Sequence, residues 1–178
     1  MFNDAPTNDA EEDVKEEFYQ LLQGEVNKVK NRDMVIVMGD FNAKVGSTNS
    51  GYETVMGRPG VGTMNENGER FANCCLANDL VFGGTVFPHR LRHKITWMSP
   101  DAVTENQIDH LCVCRKFRRS LLDVRVKRGA DAASDHHLLT AKIQLKLKRM
   151  DQVKVAGDRV RFCVDRLKER EIEQIVQT

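Results

Sequence analysis

The sequence predicts a single domain of the mixed α/β class, more narrowly α+β, on three observations. A helical pattern near the N-terminus is followed by a wholly apolar run of five residues, and an alternating apolar segment lies at residues 139–148. A length of 178 residues suits one domain better than two. No window approaches the ~18 consecutive apolar residues that a membrane span needs, so a membrane-spanning protein is excluded.

The first element is a helix predicted over residues 8–30. Asn8 or Asp9 can cap it, and acidic residues occupy its first turn, where the helix dipole favours them. We expect it to lie on the surface with one buried stripe. That stripe contains Val14, Phe18, Leu21, Leu22, Val26 and Val29.

The next elements run to residue 82. The apolar run at residues 34–38, ended by Gly39, is typical of a central strand that is buried on both faces. Residues 44–66 have no period and predict a long loop. A second helix is expected at 67–78, followed by a strand at 80–82.

Strand patterns then follow at residues 95–98, 107–114, 124–127 and 139–148, and the last is the clearest because apolar and polar residues alternate strictly. The domain is therefore expected to occupy residues 1–148. Residues 149–178 read as a charged tail, expected to be helical.

Charge and cysteine content restrict the function classes. The net charge is +1, yet residues 1–33 hold nine acids and four bases, while residues 115–128 hold seven bases and one acid. The basic stretch is either a solvated face or a surface for a polyanion. The five cysteines match no disulfide framework, so we interpret them as reduced core thiols. The acidic N-terminus does not resemble a secretory signal, and we expect an intracellular protein, nuclear or cytoplasmic and not secreted.

Three acids lie where predicted strands begin or end: Asp40, Asp109 and Asp135. Strand ends are where ligands collect in α/β sheets. Asp40 taken alone is better explained by a turn, since Asp and Asn side chains hydrogen-bond their own backbone. Together with the amide of Asn42 and the imidazole of His136, these carboxylates supply the groups that metal-assisted phosphodiester hydrolysis requires.

Other site types are weaker alternatives. His89 and His93 are four residues apart, but no Glu completes a zinc protease motif. Cys112 and Cys114 have no evident activating partner for a nucleophilic role. His110, on a predicted strand, favours a buried core histidine.

Several segments resemble one known superfamily. They resemble, in order, the C-terminal half of the endonuclease/exonuclease/phosphatase superfamily, which has the DNase I-like fold. The segments are MVIVMGDFNAKVG, NENGERFAN, LVFGGTVFPHRLRHKITWMSPD, ENQIDHLCV and RGADAASDHHLLTAKIQLKLK. The likeness is strongest to the endonuclease domains of RTE-type non-LTR retrotransposons and to the craniofacial development protein 2-like sequences derived from them. It covers about residues 34–148 and implies a four-layer β-sandwich flanked by helices.

The resemblance also implies roles for individual residues. Asp40 would act at the scissile phosphate, Asn42 would orient that phosphate, and Asp135 would be the metal-linked carboxylate. His136 would contact the phosphate or move a proton, held by Asp109. The implied cofactor is Mg²⁺ or Mn²⁺, and the implied partner is DNA. Residues with basic side chains that would meet DNA phosphates are Arg115, Lys116, Arg118 and Arg119.

One departure from the family pattern changes the expectation. Family members begin with a strand that carries an Asn and a strand that ends in Gln-Glu, whose Glu is the principal Mg²⁺ ligand, and neither is found before Ala5. We therefore expect the N-terminal half of the fold to be missing and DNA cleavage by this chain to be weak or absent. The alternative is a catalytically dead fragment that binds nucleic acid or protein. A phosphatase or deadenylase of the same superfamily would share the motifs.

Overall fold

The computed structural model describes residues 5–129 and 134–145. This part of the chain contains two helices and seven strands, joined by loops and three short 3₁₀ turns. The helices are α1 (Glu12–Lys28) and α2 (Glu66–Ala77), and the strands are β1 (Ile36–Asp40), β2 (Leu80–Phe82), β3 (Trp97–Met98), β4 (Glu105–Asn106), β5 (Asp109–Cys114), β6 (Leu121–Lys127) and β7 (Leu138–Ile143). The boundary expected at residue 148 and the tail 149–178 lie outside the described residues.

The strands form antiparallel sheets. Strands β1, β5 and β2 make a three-stranded sheet with β5 in the middle, while β6 pairs with β7 and β3 pairs with β4. The fold class predicted from the sequence, a mixture of helix and sheet, is confirmed. Within the described residues, no helix is both long and apolar enough to cross a membrane.

The larger core lies between the helices and one face of the three-stranded sheet. Phe71 of α2 is fully buried, stacks on Phe41 at a centroid distance of 3.9 Å and meets Phe82 edge-on at 5.1 Å. Aromatic residues bury more area than other side chains, so this cluster dominates the contact between helix and sheet. His110 is completely buried beside the same rings, as the sequence predicted for a core histidine.

The smaller core lies on the opposite face of that sheet. Leu111 and Val113 of β5 pack against Leu121 and Val124 of β6, so the β6–β7 pair covers the central strand. Gly83 permits this close approach, because a Cβ there would lie 2.7 Å from Val124 Cγ2. The result is a sheet with packed elements on both faces, whose strand ends can hold a site.

The first helix begins later than predicted. It starts at Glu12, because residues 7–10 form a turn closed by the Ala10 N–H and the Thr7 carbonyl. The Asn8 side chain does not cap α1 and instead accepts a hydrogen bond from the N–H of Asn67. The predicted stripe is also too wide, since three of its members, Val14, Leu21 and Val29, are exposed, while Phe18, Leu22 and Val26 pack against the larger core.

The prediction for β1 was wrong in one respect. Among the described residues β1 is an edge strand, Val37 is its buried residue, and Ile36 and Met38 are 37% and 60% exposed. A wholly apolar run indicates a strand but does not show which faces are covered. Strand β7 ends at Ile143 and Leu145 is exposed, so the alternating pattern extends beyond the paired strand.

Candidate active site at the ends of β1 and β5

Two aspartates face each other at one end of the three-stranded sheet. Asp40 ends β1, Asp109 begins β5, and the antiparallel register pairs them directly. Directly opposed residues lie on the same face with Cβ atoms about 4.5–5.5 Å apart, and like charges in such pairs repel each other. Both side chains are about one-fifth exposed, at 20% and 19%. A positive charge near the pair would offset this repulsion, and either a bound cation or the neighbouring His136 could supply it.

The two carboxylate oxygens of Asp40 have different surroundings. Oδ1 accepts a hydrogen bond of 2.9 Å from the backbone N–H of Asn42, whose φ is 47°. Asn adopts this left-handed conformation more readily than most residues. Oδ2 lies 3.8 Å from Nε2 of His136. The turn that the sequence offered as an alternative therefore exists, and it fixes the carboxylate with its second oxygen near the histidine.

His136 lies between the two carboxylates. Its Nδ1 is 3.0 Å from Oδ2 of Asp109, and its Nε2 faces Asp40. A carboxylate accepts hydrogen bonds, so Nδ1 carries the hydrogen and Nε2 is the nitrogen that can take up a proton. One ligand atom from each of Asp40, Asp109 and His136 lies within 4.8 Å of the others. A third of the His136 side chain is exposed, so this group is accessible from solvent.

The segment that carries His136 is held by residues 96–98. The carbonyl of Thr96 accepts from the N–H of His137 at 2.7 Å, and Trp97 and His136 form an isolated antiparallel bridge. Residues 134–137 therefore continue the β3–β4 ladder for one step. This backbone pairing, rather than a side-chain contact, brings the histidine to the end of β5.

Asp135 does not join the cluster among the described residues. Its Oδ2 accepts the indole N–H of Trp97 at 2.8 Å, and its side chain is exposed. The hydrogen bond from Trp97 is the main cause that holds the pKa of Asp135 below its usual value, so the carboxylate is ionised at neutral pH. Its metal-linked role remains a prediction.

Asn42 is held from several sides. Its Nδ2 donates to the carbonyl of Ala5 at 2.9 Å, and its own carbonyl accepts from the side-chain amides of Asn65 and Asn67 at 3.3 and 3.4 Å. These bonds anchor the loop after β1 to the start of α2. The amide of Asn42 thus has a defined structural partner, and its orientation of a phosphate stays a prediction.

Two curated proteins are similar to this chain. Craniofacial development protein 2 from Tragulus javanicus is 40% identical over 144 residues, which cover 81% of this chain and 25% of that protein. The protein of the same name from Bos taurus is 40% identical over 144 residues, 81% of this chain and 24% of its own length. The chain therefore spans about a quarter of the length of these relatives. No family model matches the sequence.

Solved structures identify the fold. The endonuclease domain of TRAS1, a telomere-specific non-LTR retrotransposon, has a TM-score of 0.53 at 14% identity over 74% of this chain and 52% of its own. A variant of the 3′ phosphatase NExo from Neisseria, bound to a product DNA hairpin, has a TM-score of 0.54 at 18% identity over 75% of this chain and 54% of its own. The chain has the DNase I-like fold. The resemblance stated from the sequence motifs is thereby confirmed for the fold, and the likeness to craniofacial development protein 2 is confirmed for the sequence.

Within this DNase I-like fold the predicted DNA-contacting residues lie away from the cluster. They occupy the 3₁₀ turn Arg115–Ser120, which follows β5, whereas Asp109 begins that strand. The length of this strand separates the two ends by roughly 20 Å. Arg115 is paired with Asp79 at 3.0 Å, and Lys116 lies over the ring of Phe117. A DNA contact by this turn stays a prediction, and it would be made at a distance from the reacting phosphate.

The competing sites are occupied by ordinary interactions. His89 bonds Asp123 at 2.6 Å and His93 bonds the carbonyl of Val126, so the two histidines do not converge on one metal position. The thiols of Cys75 and Cys112 lie 3.8 Å apart in the core. Burial raises the pKa of Cys75 well above its usual value, which is the opposite of nucleophilic activation.

The donor set of the cluster suits a hard divalent cation. Mg²⁺ and Mn²⁺ take oxygen ligands and keep several waters, and Asp40 and Asp109 offer carboxylates on one face of the sheet. Within the cluster only Asp40 and Asp109 offer carboxylate oxygens, so these two would hold such an ion, and Asp109 would share its oxygens with Nδ1 of His136. Sequence reasoning missed Thr96, whose buried hydroxyl bonds the backbone of β5, because a threonine carries no motif signal of its own.

Proposed function

We propose that Asp40, Asp109 and His136 form the catalytic centre of a phosphodiesterase that depends on Mg²⁺ or Mn²⁺ and cleaves DNA. The observation that carries this proposal is the convergence of two opposed carboxylates on one imidazole at a strand end. The resemblance to retrotransposon endonucleases supports DNA as the substrate. Two similar structures support it as well, since one is a retrotransposon endonuclease domain and the other a phosphatase bound to a DNA hairpin.

The chain's own groups can move the proton that hydrolysis releases. Asp40 and Asp109 would hold a divalent cation, which would supply positive charge for the phosphate oxygens and for the attacking water. His136 accepts the proton of the attacking water at Nε2, while its Nδ1–H remains hydrogen-bonded to the carboxylate of Asp109. Asp109 stabilises the imidazolium that results, because the carboxylate lies in direct contact with it. The oxygen of water forms the new P–O bond while the ester P–O bond on the opposite side of the phosphorus breaks. The leaving oxygen takes a proton from solvent, and His136 then releases its own proton to solvent.

A plasmid-nicking assay with the full chain tests the proposal. Supercoiled DNA with Mg²⁺ or Mn²⁺ should yield open circles, at the low rate that the sequence leads us to expect, and His136→Gln and Asp109→Asn should each slow the reaction by about 100-fold or more. His93→Gln makes the same chemical change outside the cluster and should nick at the wild-type rate. Nicking that persists unchanged in His136→Gln would overturn the proposal.

A second candidate is a DNA-binding module without cleavage. It is favoured by the exposed basic turn and by the position of Asp135 outside the cluster. Combined alanine substitution of Lys116, Arg118 and Arg119 should weaken DNA binding at all sequences alike. It should also reduce the slope of log affinity against log salt by about one for each phosphate that the protein no longer neutralises. An unchanged salt slope contradicts a role for this turn.

A further inference from the structure

We propose that Thr96 is the positioning residue of the Asp109–His136 pair. Thr96 precedes β3 and is completely buried. Its hydroxyl oxygen accepts hydrogen bonds of 3.0 Å from the backbone N–H groups of both Ile108 and Asp109. Its carbonyl accepts from the N–H of His137 at 2.7 Å. The catalytic consequence rests on the proposed function, whereas the geometric one stands independently of it.

These bonds close a ring around the pair. Thr96 holds Asp109 through its side chain and holds the residue after His136 through its main chain, and the Asp109–His136 contact of 3.0 Å completes the circle. The separation of the two side chains is therefore set by one rigid residue. Threonine suits this position because its branched Cβ restricts χ1 and so fixes the direction of the hydroxyl.

The Thr96 hydroxyl is needed because the backbone N–H groups of Ile108 and Asp109 lie where the β1–β5 ladder ends. The register of β1 and β5 stops at Asp40 and Asp109, and Ile108, the residue before Asp109, is 8% exposed. Buried backbone N–H groups require an acceptor. Without the hydroxyl, residues 108 and 109 must move to find water or another partner, and the carboxylate of Asp109 moves with them.

Thr85 provides a matched comparison. It is also completely buried, and its hydroxyl also accepts a backbone N–H, from Gly57 at 3.0 Å, and donates to the carbonyl of Phe82. None of these partners belongs to the cluster. Removal of the Thr85 hydroxyl therefore costs similar buried hydrogen bonds without touching the Asp109–His136 pair.

The experiment compares T96V, T96S and T85V in the full chain. Nitrogen NMR of histidine-labelled protein near pH 8 reports which ring nitrogen of His136 carries the hydrogen, and the signal is assigned by its absence in H136Q. The wild type, T96S and T85V should show the Nδ1–H form. In T96V this form should no longer predominate, because Asp109 no longer holds Nδ1. In the nicking assay T96V should lower kcat by about 10- to 100-fold, with KM unchanged within about twofold.

Each result decides the inference. An unchanged His136 tautomer in T96V overturns it, and so does an equal change in T85V, because that would reflect general destabilisation. If T96V does not fold, T96S decides, since a retained hydroxyl must retain the Nδ1–H form. A wild-type chain that nicks no DNA overturns the proposed function alone, and the tautomer measurement still decides the role of Thr96.

Discussion

Asp40 uses one oxygen for the local turn and presents the other to His136, and two substitutions separate these roles. Asp40→Asn keeps an oxygen that can accept the Asn42 N–H but removes the charge that opposes Asp109. We expect Asp40→Asn to bind Mn²⁺ far more weakly in calorimetry, and its free energy of unfolding in urea is the reference for the second substitution. Asp40→Ala should lose the turn bond as well, at a cost of about 1 kcal/mol relative to Asp40→Asn. Equal Mn²⁺ affinity of wild type and Asp40→Asn would contradict a cation role.

The cysteines permit a second prediction at the scale of single residues. Burial raises the pKa of Cys74 to about 11, so at pH 8 only about one thiol in a thousand is ionised. Alkylation of Cys74 by iodoacetamide should therefore be slow at pH 8 and rise about tenfold per pH unit up to about pH 11. Cys75 and Cys112, completely buried, should react only after denaturation. Peptide mass spectrometry measures each site.

The residue types of the site were predictable, but their distances were not. The motifs around Asp40, Asp109 and His136 identify them from the amino-acid sequence, because each follows or precedes a recognisable strand. The sequence could not show that Asp135 is directed to Trp97, since that depends on how residues 134–137 pair with residues 96–98. Backbone pairing between distant segments leaves no local pattern.

At the scale of elements, helix and strand types were predictable and their environments were not. The period of α2 and the apolar run of β1 were both recognised, yet β1 proved to be exposed on one face and α1 began at Glu12 rather than at residue 8. Periodicity reports the local chain conformation. Coverage of a face depends on elements far away in sequence, so it becomes visible only in the assembled structure.

The start of α2 anchors the site loop and carries the third prediction. Asn65 caps the helix, because its Oδ1 accepts a hydrogen bond from the backbone N–H of Gly68 at 2.8 Å. The same oxygen accepts from the backbone N–H of Lys44 at 2.9 Å, and Nδ2 of Asn65 donates to the backbone carbonyl of Asn42. Asn65→Ala should lower the free energy of unfolding by about 1–2 kcal/mol, because the cap and the loop anchor disappear together. Asn65→Asp keeps the accepting oxygen and should cost clearly less. Urea unfolding of both variants tests this, and equal destabilisation would contradict the capping role.

At the scale of the whole molecule, the two packed faces of the central sheet differ at β1. Ile36 and Met38 of β1 pair with Val113 and Leu111 of β5, so all four lie on the same face of the sheet. Strand β6 covers this face at β5. Among the described residues this part of the face is not covered, which leaves Met38 60% exposed on an edge strand. An apolar edge strand is a template for association with another chain.

The fourth prediction follows from that open edge. We expect the chain to associate increasingly with concentration and Met38→Lys to reduce the association, because a charge on an edge strand opposes pairing. Leu21→Lys is the matched control, since Leu21 is 64% exposed on α1, away from any strand, and the same change there should have little effect. Light scattering across a concentration series measures the difference. If Met38→Lys and Leu21→Lys act equally, overall charge rather than the β1 edge controls association. If only Met38→Lys reduces the association, the exposed edge of β1, the strand that ends in Asp40, is the surface through which two copies of the chain associate.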